Sequence, residues 1–163
     1  MLLKGNAMRN SRSQKSISIV LWIVTVLMAF VIFCFSAQSG ERSSQLSNGV
    51  AEALTSSGTE GISTFLIRKG AHFLEYSFFA FLIVLSLAFS GKHLALSVTD
   101  VFIAFFASVA YASSDEIHQL FVEGRVGSYI DVLIDVAGAV FGAVLGACIT
   151  YLIIKKSNRA GSV

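Results

Sequence analysis

Several side chains in this chain have types and spacings that could do chemistry. His72, Glu75 and Tyr76 stand at i, i+3 and i+4, so on a helix they share one face. Asp115, His118 and Gln119 repeat that spacing, and Asp131 and Asp135 lie one turn apart. An imidazole beside a carboxylate can move a proton near neutral pH, which makes His72 with Glu75, and His118 with Asp115, candidate acid–base pairs. Arg68, Lys69 and Arg125 could hold a phosphate or carboxylate through charge-assisted hydrogen bonds. The candidate catalytic set is therefore His72, Glu75, Asp115, Glu116, His118 and Asp135. The candidate ligand-binding set is Arg68, Lys69, Tyr76, Gln119, Arg125 and Asp131. His72, Glu75, Asp115, Glu116 and His118 could also offer nitrogen and oxygen to a divalent cation. Their spacing matches no zinc motif such as H-E-x-x-H, so no metal and no other cofactor is expected. A Ser-based nucleophilic triad has no support beyond the presence of the residue types.

The elements that position these groups are apolar. The chain has 163 residues, of which 55% are hydrophobic and 13% charged. Soluble domains average about 45–50% apolar and about 25% charged, and a short chain has too much surface to hide this excess. A bilayer core is crossed by about 20 apolar residues in a helix. Four segments of that size fall between the charge clusters: Ile17 to Ser36, Gly70 to Ser90, Val98 to Phe121 and Tyr129 to Ile154. They predict an all-α integral membrane protein, a bundle of four transmembrane helices in one domain spanning residues 1–163. The apolar core of the first segment exceeds the about 7–15 residues of a signal peptide, so it reads as a retained span.

Four spans place both termini on one side. With that side cytoplasmic, the inner basic residues are Lys4, Arg9, Arg12, Lys15, Lys92, Lys155, Lys156 and Arg159, with residues 1–16 a basic tail. The outer set is Arg42, Arg68, Lys69 and Arg125. The positive-inside rule therefore predicts cytoplasmic N and C termini. His72 and Glu75 then open span two, Asp115 to Gln119 close span three, and Asp131 and Asp135 open span four. All sit at outer-leaflet depth, and ionisable groups inside spans face a bundle interior or a wet cavity.

Below Asp131 and Asp135, on the same rotation, come Gly138, Gly142 and Gly146, a GxxxGxxxG stripe that admits another helix closely, within this chain or between chains. Ser128 could cap span four, which puts Asp131 at the third helical position near the positive end of the dipole. Arg125 could reach Asp115, Glu116, Asp131 or a bound anion. Asp100 is expected to serve the start of span three. In the segment Ala37 to Phe65, Leu46, Val50 and Leu54 recur every four residues, which fits a short amphipathic helix on the membrane surface or an irregular loop. Cys34 and Cys148 are expected at different depths, unbridged, as small buried apolar residues. A plainer account competes with the functional one: the charged cluster only staples helix ends, and the protein is a non-catalytic membrane interaction module.

Four stretches carry a resemblance. They are Phe35-Ser36-Ala37-Gln38-Ser39, Arg68-Lys69-Gly70-Ala71-His72-Phe73-Leu74-Glu75-Tyr76, Ser114-Asp115-Glu116-Ile117-His118-Gln119-Leu120-Phe121, and Gly124-Arg125 followed by Asp131-Val132 and Asp135-Val136-Ala137-Gly138. Together they resemble the VanZ-like family of small bacterial membrane proteins over roughly residues 20 to 150. The resemblance implies a multi-pass protein of the bacterial cytoplasmic membrane. It also implies a cell-envelope role, since the name-giving member is associated with low-level resistance to the lipoglycopeptide teicoplanin. The family's recurring polar residues map onto Gln38, Arg68, Lys69, His72, Glu75, Asp115, Glu116, His118, Gln119, Arg125, Asp131 and Asp135. The expected partners are the lipid bilayer and an amphiphile of the envelope, such as a lipid-linked cell-wall precursor, a phospholipid or a lipoglycopeptide. Nucleic acid is not among them.

Overall fold

The computed structural model describes residues 2–56, 63–91 and 94–160, and among them every regular element is a helix. In chain order these are α1 (Leu2–Ser36), α2 (Gly40–Ser56), α3 (Thr64–Ser90), α4 (Val98–Gln119) and α5 (Tyr129–Ala160). Lys92 and His93, expected in a cytoplasmic turn, lie outside the described residues. With no proline in the chain, nothing interrupts the long helices. Thus α1 continues back through the basic tail, and α5 runs on past Ile154. The segment after Ala37 resolves in favour of a helix, α2, whose Leu46, Val50 and Leu54 stay exposed on the surface of the chain.

Three helical segments, Ser13–Ser36, Thr64–Ser90 and Tyr129–Arg159, are long and apolar enough to cross a membrane. The 22-residue α4 is not among them. It carries Asp100 in its first turn and Asp115, Glu116, His118 and Gln119 in its last two, which dilute its apolar stretch. Local chemistry sets its ends. Ser97 and Asp100 form a reciprocal capping box: the Asp100 carboxylate accepts from the Ser97 N–H at 2.9 Å, and the Ser97 hydroxyl accepts from the Asp100 N–H at 3.1 Å. At the other end a tight turn takes over, with Leu120 N–H donating to Ile117 and Phe121 N–H to His118. The chain then reverses at Gly124, whose φ of 70° suits glycine.

The core lies along α3, whose longest interface is with α5. The two helices run parallel, because successive contacts climb both sequences together: Phe73 with Gly138, Ser77 with Gly142, Val84 with Gly146. The glycine stripe therefore packs within the chain. A Cβ at Gly138 would collide with the Phe73 carbonyl oxygen, and one at Gly142 with that of Ser77. On the other side of α3, α1 runs antiparallel and is joined by hydroxyl pairs. Thr25 meets Ser86 at 3.0 Å, while Ser90 receives the Trp22 indole N–H at 2.9 Å. Tyr111 of α4 reaches the Ala29 carbonyl of α1 at 2.7 Å. Cys34 and Cys148 are unbridged, as expected, but exposed rather than buried: both sit on the outward faces of their helices, away from the α3 core.

Close backbone packing makes a specific demand on stability. Gly142→Ala is expected to lower stability by about 1–3 kcal/mol, the usual cost of overpacking a tight contact. Gly70→Ala, where nothing lies within 4 Å of the new methyl, is expected to be neutral or to stabilise α3 by up to about 1 kcal/mol. Thermal unfolding of the two variants in the same detergent checks the contrast.

Candidate functional site

The parallel packing of α3 and α5 carries their first turns to one end of the bundle. There the ends of α1 and α4 and the start of α2 join them. Two rungs cross between α3 and α5. Lys69 pairs with Asp131, and one turn deeper the Nδ1 of His72 meets the Oδ1 of Asp135 at 3.2 Å. Their spacing, three residues on α3 and four on α5, is the pitch of two parallel helices in contact. Asp131 is largely shielded, and Asp135 is completely buried. The Lys69 ammonium also lies over the Phe65 ring, 5.1 Å from its centroid, so the charge that pairs with Asp131 makes a cation–π contact as well.

From α4, Asp115, Glu116 and Gln119 face inward and are buried. The Gln119 amide donates to Asp115 at 3.2 Å. Glu116 accepts the Ser128 N–H at 2.8 Å, and the Ser128 carbonyl accepts from Asp131 and Val132. The start of α5 is thus fixed by a carboxylate from α4 and by the backbone of Ser128. Asp131 falls at the third helical position, where the dipole favours a negative charge. His118 turns elsewhere: its ring packs on Phe33 of α1, with centroids 5.0 Å apart. The spacing that put His118 on one face with Asp115 does not bring it to the cluster around His72.

Arg125 takes a role that spacing did not suggest. Its Nε donates to the Gln38 carbonyl at 3.1 Å, and its Nη2 to the Phe35 carbonyl at 2.8 Å. These carbonyls belong to the end of α1 and the residues just after it, and the Phe35 oxygen also accepts from the Gln38 N–H at 3.3 Å. Beside this clamp the Gly40 N–H donates to Glu123 at 3.0 Å, and Gly40 lies so close to Gly124 that a side chain there would strike the Gly124 carbonyl. The α4–α5 turn is therefore locked to the α1–α2 junction. Burial, with Arg68 nearby, pushes the Arg125 guanidinium below its ordinary value, yet arginine keeps its charge near neutral pH.

Between these elements lies a cavity of about 310 Å³. Its polar lining includes Gln38, Arg68, His72, Glu75, Asp115, Gln119 and Arg125. Its apolar lining includes Ile32 and Phe35 of α1, Leu46 and Val50 of α2, and Ile67 of α3. The cavity gathers three residues of the catalytic set and three of the ligand-binding set. Glu116, Asp131 and Asp135 stand behind it in the helix interfaces, and Tyr76 is buried in the core beside Tyr111. Sequence reasoning missed the contribution of α2, because Ser43 and Ser47 carry no chemical signature and Leu46 and Val50 signal only amphipathicity.

The clamp predicts a measurable effect. Arg125→Ala leaves the carbonyls of Phe35 and Gln38 without their charged donor, which is expected to cost about 1.5–3 kcal/mol. Hydrogen exchange at the Gly40 amide should accelerate, whereas the Thr25–Ser86 region of α1 and α3 should keep its protection.

The polar stretches that meet here, from Phe35–Ser39 to Asp135–Gly138, are spread over most of the sequence, and a family model matches that same extent. No curated protein and no solved structure matches the chain. The match of residues 21–154 to the VanZ/LLP1 model shows that the chain belongs to the VanZ/LLP1 family.

Proposed function

We propose that this VanZ-like protein binds, or acts on, the head group of an amphiphilic molecule of the bacterial cell envelope. The observation that carries the reading is the mixed charged and apolar lining of the cavity. Arg68, Arg125, His72 and Glu75 line it together with Ile32, Leu46, Val50 and Ile67. An anionic phosphate or carboxylate suits the guanidinium groups, and an acyl chain suits the apolar lining residues. His72 and Glu75 are placed to pass a proton to a bound head group. A lipid-linked cell-wall precursor, a phospholipid and a lipoglycopeptide such as teicoplanin share this chemistry.

In this reading the protein is a multi-pass component of the bacterial cytoplasmic membrane. α1, α3, α4 and α5 are its four spans, with both termini cytoplasmic. The distribution of Lys and Arg supports that orientation. α4 packs against α1, α3 and α5, which supports its crossing the same thickness despite its polar ends. The cavity then opens at the outer leaflet, and α2 lies along that surface with Leu46 and Val50 at the cavity.

A second reading has its own observation. The Lys69–Asp131 pair and the Arg125 clamp bind helix ends to one another. A purely structural cluster in an interaction module would look the same at those residues. The experiment separates the two. His72→Ala, Glu75→Gln and Asp135→Asn are expressed at matched levels, teicoplanin protection is measured, and lipids retained in native nanodiscs are identified. Protection per molecule and the retained lipid are expected to fall at least ~10-fold, equivalent to about 1.4 kcal/mol of binding. Variants made normally that keep full protection and the same lipids would sink the proposal. Protection that falls only in step with protein level would favour the structural reading.

A further inference from the structure

One side chain that lines the cavity, His72, also belongs to a cluster with two carboxylates that do not line it. His72, Glu116 and Asp135, one each from α3, α4 and α5, present donor atoms that all lie within 4.8 Å of one another. Two of the three are nearly sealed from solvent, Asp135 at 0% exposure and Glu116 at 5%. Each carboxylate has one oxygen occupied and one left over. Asp135 Oδ1 meets His72, and its Oδ2 has no partner. Glu116 Oε2 accepts from Ser128, and its Oε1 has no partner. A buried carboxylate oxygen without a hydrogen bond is costly, and here two of them belong to one three-residue cluster.

We propose that His72, Glu116 and Asp135 form a binding site for one divalent transition-metal cation of the Zn²⁺ or Mn²⁺ class. One imidazole nitrogen with two carboxylate oxygens suits these ions better than Ca²⁺ or Mg²⁺, which prefer oxygen alone. Ligand bonds of about 2.0–2.2 Å set neighbouring donors roughly 3–3.5 Å apart. The His72–Asp135 pair already stands at 3.2 Å, and modest side-chain rotation closes the rest. Three protein ligands leave coordination positions open, the arrangement of working rather than purely structural metal sites. His72 also lines the cavity, so the metal sits at the cavity's inner wall. The Ser128 N–H steadies Glu116 as an outer-shell partner does. No sequence motif announces the site, because its ligands come from three separate helices. It stands whether or not an envelope amphiphile is the ligand of the cavity.

The test uses metal alone. Untagged, detergent-purified protein is stripped with chelator and dialysed against Zn²⁺ and, separately, Mn²⁺, with elemental analysis. One equivalent is expected, and equal Mg²⁺ or Ca²⁺ should not displace it. Asp135→Asn and Glu116→Gln should each weaken binding at least ~10–100-fold while remaining monodisperse. Glu123→Gln, in the exposed turn, should bind as the wild type does. Should the Asp135 variant fail to fold, Mn²⁺ electron paramagnetic resonance of the wild type decides. Nitrogen coupling from a single imidazole, lost in His72→Gln, supports the site. Less than stoichiometric binding by the wild type, absent nitrogen coupling, or full binding by folded Asp135→Asn and Glu116→Gln overturns it and assigns the spare oxygens to protons.

Discussion

The close approach of α3 and α5 is the constraint on which the rest of the structure depends. Without side chains at Gly138 and Gly142, the backbone of α5 rests against the carbonyls of Phe73 and Ser77. That distance and the parallel direction of the two helices fix everything one or two turns above. Lys69 can meet Asp131 and His72 can meet Asp135 because each pair lies on the continuation of the same contact line. In an apolar surrounding, van der Waals contact and polar pairing replace the hydrophobic drive that joins helices in water. The small residues bring the helices together, and the charged rungs hold their register.

Polar groups cost free energy in such a bundle, and the structure concentrates that cost at one end. The opposite half of the α1–α3 contact is stitched by neutral hydroxyls, as in Thr25 with Ser86, which are cheap to bury in pairs. At the charged end many groups are matched: Glu116 with the Ser128 amide, Asp115 with Gln119, Arg125 with two carbonyls. Ser36 Oγ, Tyr76 OH, His118 Nε2 and one oxygen each of Glu116 and Asp135 are buried without a partner. The spare oxygens of Asp135 and Glu116 belong to residues that share a cluster with His72. The adjoining cavity has a mixed charged and apolar lining. Helix ends alone could be stapled with fewer buried carboxylates than this.

Particular residues show how far the sequence could be read. The helical character of the apolar segments and the clustering of ionisable groups were legible, since both follow from spacing along one helix. The capping role of Asp100 was legible for the same reason: Ser97 lies three residues before it. Arg125 was not. Its partners are backbone carbonyls of Phe35 and Gln38, distant in sequence, and carbonyls have no signature in a sequence. His118 shared a helical face with Asp115 by arithmetic, but the packing of α1 against α4 gave its ring to Phe33. The cysteines read as buried by residue type, and their place on the outward faces of α1 and α5 made them exposed.

The sequence by itself determined the all-helical class, the places where apolar stretches begin and end, and the set of polar residues worth attention. Those properties are local: hydropathy and periodicity act within a helix and need no partner. Only the tertiary structure decided which polar residues meet. The glycine stripe turned toward α3 rather than toward another chain, α2 closed one wall of the cavity, and His72, Glu116 and Asp135 came together from three helices. A helix specifies the face on which a side chain stands. It does not specify which neighbour that face will find, because that depends on the rotation and depth of every helix at once.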